Sequence, residues 1–438
     1  MLYRKIQKEI ETYLTTPSNK IMLLDGARQV GKTFIVRESG QRLFKNYIEI
    51  NLSEDAIGNR RFADVHSVSD FYFRLSVIAG QSLGTREDTL VFLDEIQEYP
   101  HLLTLLKFLK QDDRYTYIAS GSLLGVALSR TSSIPMGSIT VLRMYQLDFE
   151  EFLYANGFGF DAIQILREKY LARETLDEST HNDLMRLFRM YLLVGGLPDA
   201  VNSYLRDNNI HHIRQIQQEI HDYYRADAAK YDKENRLKIG RIYDMIPSTL
   251  ENKKKRIVIK DIDGIKGKTF ANYADEFDYL ISAGIALDVK AVSTPVYPLI
   301  ENSSKNLIKL YLNDVGILTS ILYSTNVDPI LYDIPSINLG TVYESVTAQE
   351  LKSHGHELYY YDNKKNGEVD FLTNNHNDLS VLPIEIKSGK DYYVHRALDT
   401  FVSGDKYPVH HGIVFSNARK IKTIESVTHY PIYDVMFL

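Results

Sequence analysis

Apolar positions Leu2, Ile6, Ile10 and Leu14 recur at helical spacing, and the polar stretch from Thr15 to Asn19 stops them ahead of a short apolar run, Ile21 to Leu24. The pattern predicts helix, turn and buried strand. Strand-like runs recur at Tyr47 to Asn51, Leu90 to Leu93 and Tyr115 to Ala119, with helical patterns such as His101 to Gln111 between them. Strands alternating with helices predict an α/β domain with a mainly parallel sheet, ending near Glu150. From about Phe149 to Tyr231 the pattern is almost wholly helical, punctuated by Gly195, Gly196 and Pro198, and predicts a helical lid or linker.

Phe270, Tyr273, Phe277, Leu280 and Ile281 outline a further amphipathic helix, which Gly284 closes before the runs Ala286 to Val292 and Val296 to Leu299. A helix followed by a two-stranded ribbon predicts a winged-helix-like segment. Beyond the polar stretch Glu301 to Asn306 come a helix around Val342 to Ser353 and strands at Glu357 to Tyr361, Val369 to Leu372, Val381 to Lys387 and Gly412 to Ser416. They predict a second α/β or α+β domain. The expected division is 1–150 for the first α/β core, 151–235 for the lid, 236–304 for the winged-helix-like segment and 305–438 for the last domain. No repeat at solenoid periods is visible.

The 438 residues suffice for several domains, and 44% hydrophobic with 25% charged residues excludes a disordered or low-complexity chain. The formal charge is -6, so any nucleic-acid surface has to be a local patch. Without cysteine there is no disulfide, thiolate nucleophile or Cys-ligated metal. The first residues alternate charged with apolar side chains, and no apolar run approaches the roughly 18 residues of a membrane span. The expectation is a cytoplasmic chain with no signal peptide and no membrane partner.

Candidate chemistry is strongest directly after the first strand. Gly26, Ala27, Arg28, Gln29, Val30, Gly31, Lys32 and Thr33 follow the pattern G-x-x-x-x-G-K-[ST], with Phe34 continuing into a helical pattern. Glycines at 26 and 31 let the backbone fold tightly around polyphosphate oxygens, so that successive N–H groups and the following helix start face the anion. Lys32 would neutralise the β and γ phosphates, and Thr33 would ligate Mg²⁺. ATP and Mg²⁺ are the expected cofactors. The run Leu90 to Leu93 ends in two carboxylates: Asp94 would hold Mg²⁺ through water, and Glu95 would polarise the water attacking the γ phosphate. Ser120 and Ser122, around Gly121 at the end of the next strand, would bring a hydroxyl near that phosphate.

The segments GARQVGKT, LVFLDEIQ, SGSLLG and DFEEFL resemble, in that order, AAA-family P-loop ATPases that carry a C-terminal DUF4143-type domain. YLLVGGLPDAV, LIKLYLNDVGIL, EVDF and IEIK extend the resemblance over essentially the whole chain. It implies a P-loop NTPase core of AAA type. One departure stands out: where many relatives have Gly-Arg shortly before the F-E-E-F segment, this chain has Gly137-Ser138. Arg130 and Arg143 are the available substitutes, which leaves open the arginine finger and the coupling of subunits in a homo-oligomer.

Glu344 lies on a helical pattern, Asp370 on a strand-like run, and Glu385 and Lys387 two apart on another, where the period of two puts them on one face. The set resembles the PD-(D/E)XK, restriction-endonuclease-like superfamily. That resemblance implies carboxylates that bind Mg²⁺ and a lysine that orients water and stabilises charge on phosphate. A retained constellation of this kind also serves to bind nucleic acid, or to hold a domain together, without cleaving.

Seven Lys or Arg stand against Asp261 and Asp263 between Lys253 and Lys268, a local basic patch able to contact DNA phosphates or to form a solvated linker face. Gly157 to Ala162 fits a dinucleotide fingerprint formally but follows a helix, so a helix-ending loop is expected. His354 and His356, with no third ligand in view, read as a surface turn; Tyr359 to Tyr361 read as half-buried strand residues before base-stacking ones. Three functions fit: an Mg-dependent ATPase that moves its domains and regulates a DNA-acting nuclease-like domain; a nucleotide-gated interaction switch with an inactive scaffold domain; and a small-molecule phosphotransferase, which lacks a compact acceptor site.

Overall fold

The computed structural model describes all residues except 81, 123, 125–136, 232–235, 253–254, 335–336, 364–366, 390–394, 404–406 and 408, and omits the side chains of 228–231, 236 and 304–306. Two compact units emerge: Arg4–Tyr145 with Ser282–Gly284, and Met1–Tyr3 with Gln146–Ile281 and Ile285–Leu438.

In the first unit five parallel strands, β1 (Ile21–Asp25), β2 (Asn46–Asn51), β3 (Thr89–Asp94), β4 (Thr116–Gly121) and β5 (Ile139–Arg143), lie in the order β2-β3-β4-β1-β5. Every residue of β1 and β3 is buried, as a parallel sheet covered on both faces requires. The covering helices read from the sequence as expected. Pro100–Asp112 starts with proline in its first turn, buries Leu102, Leu103, Leu105, Leu106 and Leu109, and stops at Asp113 in the left-handed region. Each such leucine contributes about 2 kcal/mol of transfer free energy. β1 lies between β4 and β5, so the chain leaving β1 enters the crevice where the strand order reverses, the usual place for a ligand in such sheets.

In the second unit eight strands form one mixed sheet. They are β6 (Ala286–Val292), β7 (Ser303–Leu312), β8 (Tyr359–Asn363), β9 (Gly367–Asn375), β10 (Ser380–Lys387), β11 (Gly412–Ser416), β12 (Lys422–Ile424) and β13 (Val427–Pro431), ordered β12-β13-β11-β10-β9-β8-β6-β7. Two expectations change here. Val296 to Leu299 is not a strand; the partner of β6 is β7, which begins inside the stretch read as a polar separator. The ribbon β6-β7 is also joined through β8 to the strands beyond 359, so the winged-helix-like segment has no sheet of its own among the described residues, and a boundary at 304/305 cuts through β7.

Residues 341–352 of the helix Gly340–Ser353 are all buried, which explains why its sequence shows little amphipathic contrast. Its polar side chains therefore need internal partners. Gln349 donates to Tyr191 at 2.7 Å, Lys352 to Asp288 at 3.1 Å, and Glu350 accepts from the Phe149 amide at 3.0 and 3.2 Å and from the Tyr191 hydroxyl at 3.0 Å. Glu350 thus fixes the start of the helix Phe149–Ala155, whose Asp148 and Glu151 form a capping box. Glu350→Ala should cost about 1–3 kcal/mol, because it orphans the buried Phe149 amide while the Tyr191 hydroxyl keeps Leu147 O and Gln349; chemical denaturation of the variant measures this.

Candidate functional site

The turn after β1 is closed by backbone conformations that few residues tolerate. Gly26 has φ 150°, where a Cβ would strike the Met144 carbonyl, and Gly31 has φ 96° immediately before the helix Lys32–Leu43. Lys32 is only 6% exposed, and its Nζ donates to the carbonyls of Gly26 and Ala27, each at 2.8 Å. Burial lowers its pKa against the opposing charges of Glu95, Asp25 and Asp94. Arg4 clamps the loop from outside the motif, donating to Val30 O at 2.9 Å and Tyr145 O at 2.6 Å. Its role escaped the sequence reading, since nothing in the local pattern connects residue 4 to residue 30.

Thr33 Oγ1 donates to Asp94 Oδ2 at 2.7 Å, and Ser120 Oγ donates to Asp94 Oδ1. Burial raises the Asp94 pKa, while the two hydroxyls and Lys32 favour its ionised form. Glu95 stands at φ 56°, an uncommon conformation for a residue with a side chain. Its Oε2 accepts from Gln97 Nε2 and, at 3.4 Å, from Ser122 Oγ. The two serines thus divide, Ser120 to Asp94 and Ser122 to Glu95. Phe34 points outward at 53% exposure. Asp25 is buried with a raised pKa, and Arg143 Nε lies 3.9 Å from its Oδ2. Arg130, the other arginine considered, lies outside the described residues.

A hydroxyl and a carboxylate held together at the end of a phosphate-binding turn are hard oxygen donors, the set that suits Mg²⁺. Thr33 and Asp94 therefore fit that ion, and Gly26 to Thr33 fit a polyphosphate.

In the second unit the structure draws Glu344, Asp370, Glu385 and Lys387 into mutual electrostatic range. Lys387 Nζ donates to Glu385 Oε1 at 2.8 Å, and Asp370 Oδ2 accepts from the Ile386 amide at 2.9 Å. Glu344 accepts from Lys255 and from Tyr311 OH, the latter at 3.2 Å. Lys309, fully buried, donates to Glu368. Lysines thus answer the carboxylates, and among the described residues no group of three or more His, Asp or Glu is arranged to hold a metal ion.

The basic segment is paired in part in the same way. Lys255 serves Glu344, Arg256 lies 3.2 Å from Asp362, and Lys268 lies 2.5 Å from Asp263; Lys253 and Lys254 fall outside the described residues. Tyr359 to Tyr361 are buried outright and unavailable for base stacking. His354 is not a surface residue either: its Nε2 lies 3.4 Å from Asp148 and its Nδ1 3.0 Å from Leu438 O. Gly159 starts the helix Phe160–Ala172, so the glycines at 157 and 159 do separate two helices.

Residues 18–153 match a family model described as an AAA domain, residues 185–328 one described as domain of unknown function DUF8612, and residues 339–434 domain of unknown function DUF4143. Among solved structures the chain is similar to a Walker-type ATPase of Pyrococcus abyssi, at 14% identity and TM-score 0.44 over 74% of this chain and 96% of that one. It is similar to the Aeropyrum pernix ORC1 protein in complex with DNA, at 14% identity and TM-score 0.32 over 76% and 94%. A third likeness, to the S. cerevisiae Hsp104–ADP complex, has 13% identity and TM-score 0.30 over 64% of this chain and 37% of that one. No curated protein matches. The chain carries an AAA domain and, towards its C-terminus, a DUF4143 domain. No helix among the described residues is long and apolar enough to cross a membrane.

Glu385 is 7% exposed and its Oε2 has no hydrogen-bond partner among the described residues. Burial, then the Asp370 charge, pushes its pKa from 4.5 up to about 8, against Lys387. Between those values the unfolded chain releases a proton that the folded chain keeps. The stability this proton supplies is whole below 4.5 and is lost as pH rises towards 8. Urea midpoints of the parent chain minus those of Glu385→Gln should therefore decline steadily from about pH 5 to about pH 8; a constant difference contradicts the assignment.

Proposed function

We propose that the AAA domain binds ATP with Mg²⁺ and hydrolyses it, and that nucleotide state gates what the DUF4143-bearing unit does. The observation that carries the reading is the 2.7 Å bond from Thr33 to Asp94, which joins the phosphate-binding turn to the acidic strand end. Gly26 to Thr33 would cradle the phosphates through backbone N–H groups, with Lys32 countering their charge. Thr33 would ligate Mg²⁺ and Asp94 would hold it through water; the ion would supply charge neutralisation on the phosphate oxygens. Glu95 would take the proton of the attacking water as its oxygen bonds to the γ phosphorus and the bond to the bridging oxygen breaks, leaving ADP and phosphate. Ser120 would hold Asp94, and Ser122 would help to hold Glu95.

For the second unit, the expectation of a DNA-acting nuclease-like domain coupled to the ATPase competes with that of an inactive scaffold in an interaction switch. The lysine pairs on Glu344 and Glu385 favour the switch, because a cation is already supplied by the chain itself. Homo-oligomer formation and a cytoplasmic location remain part of the proposal.

Lys32→Ala should abolish nucleotide binding or turnover, whereas Glu95→Gln should retain ATP and hydrolyse it at least about 100-fold more slowly, as loss of a general base does. Steady-state ADP release with a binding assay measures both; normal turnover in the two variants rejects the site. Labelled DNA incubated with Mg²⁺ or Mn²⁺, with and without ATP, should be neither cut nor retained. Cleavage that Asp370→Ala removes would restore the nuclease reading.

A further inference from the structure

We infer that Gln97 is a positioning residue for Glu95, holding its carboxylate in the one orientation from which it can serve as base. The inference rests on the ATPase reading above and deepens it.

Glu95 leaves β3 in the left-handed region, φ 56° and ψ 48°, which sends its side chain out of the strand's alternation and away from the neighbours a strand would provide. A carboxylate launched that way keeps its χ freedom unless something seizes it. Gln97, two residues on in the short 3-10 turn Ile96–Glu98, does so: its Nε2 donates to Glu95 Oε2. Ser122 Oγ reaches the same oxygen at 3.4 Å, and no described hydrogen bond reaches Oε1. One oxygen is tethered and the other remains to accept a proton.

The amide has a single useful orientation. Turned over, it would face its own oxygen to the Glu95 oxygen, two acceptors with no proton between them. Among the described residues Gln97 Oε1 is buried with no hydrogen-bond partner, against Gly121, where a Cβ would overlap it. Glycine at the end of β4 supplies the room, which ties the SGS segment to the acidic strand end through Gln97 as well as through Ser120 and Ser122.

Removing the tether should disorder the base without touching the phosphate turn. In the full chain, Gln97→Leu should lower kcat about 10- to 100-fold with the KM for MgATP and the affinity for a fluorescent ATP analogue within about twofold, the pattern of lost orientation. Gln97→Glu, which keeps the side-chain length but offers the Glu95 oxygen an acceptor instead of an N–H, should give the same kcat loss with KM unchanged. A merely structural glutamine would not split kcat from KM in this way. Gly121→Ala, which displaces Gln97 without altering it, should reproduce the kcat loss and serves if the first variant does not fold. A parent chain that turns over MgATP alongside Gln97 variants with unchanged or higher kcat overturns the positioning role alone. A parent chain with no turnover overturns the ATPase reading, and this inference with it.

Discussion

An ammonium withdrawn from water costs several kcal/mol unless its protons are met at once, and both units are organised around that demand. In the first, Lys32 is met by the carbonyls of Gly26 and Ala27. A trans peptide that turns its carbonyl to one side turns the following N–H to the other. The Ala27 and Arg28 amides are thereby aimed away from Lys32, and the turn becomes a set of outward donors because its carbonyls are occupied inward. The left-handed φ of Gly31 and the broad φ of Gly26 are the backbone consequences, and Arg4 on Val30 O keeps the far side of the turn from relaxing.

The same demand operates differently in the second unit. Lys309 is fully buried on β7 and meets Glu368 on β9; Lys255 meets Glu344; Lys387 meets Glu385 on its own strand. A strand that begins with polar residues and carries a buried lysine looks like a linker to any reading by hydrophobicity. The start of β7 therefore carries the pattern of a polar separator, although the strand pairs with β6 along nearly its whole length.

What the sequence made legible was what is local. The turn after β1, the acidic end of β3 and the helix Pro100–Asp112 each lie within a dozen or so contiguous residues, and the apolar period or the glycine spacing marks them directly. β5 escaped because it is an edge strand with only Ile139 buried, so its pattern lacks the fully apolar signature of β1 and β3. The roles of Ser120 and Ser122 were legible as hydroxyls near the phosphate but not as a division of labour, since that depends on which carboxylate each faces across the sheet. Part of the basic segment is paired at long range: Glu344 lies 89 residues from Lys255, and net charge along a window cannot register a partner so distant.

Pairing of this kind also sets the charge of the C-terminal constellation. A carboxylate cluster attracts a divalent cation in proportion to its uncompensated charge, and Lys255, Lys387 and the fully buried Lys309 reduce that charge before any ion arrives. The Glu385 and Lys387 alternation on β10 is thus satisfied internally, with the lysine donating to the carboxylate on its own strand. The chemistry the chain can perform unaided is concentrated where a buried lysine faces backbone carbonyls that a polyphosphate can replace with stronger acceptors, at the end of β1.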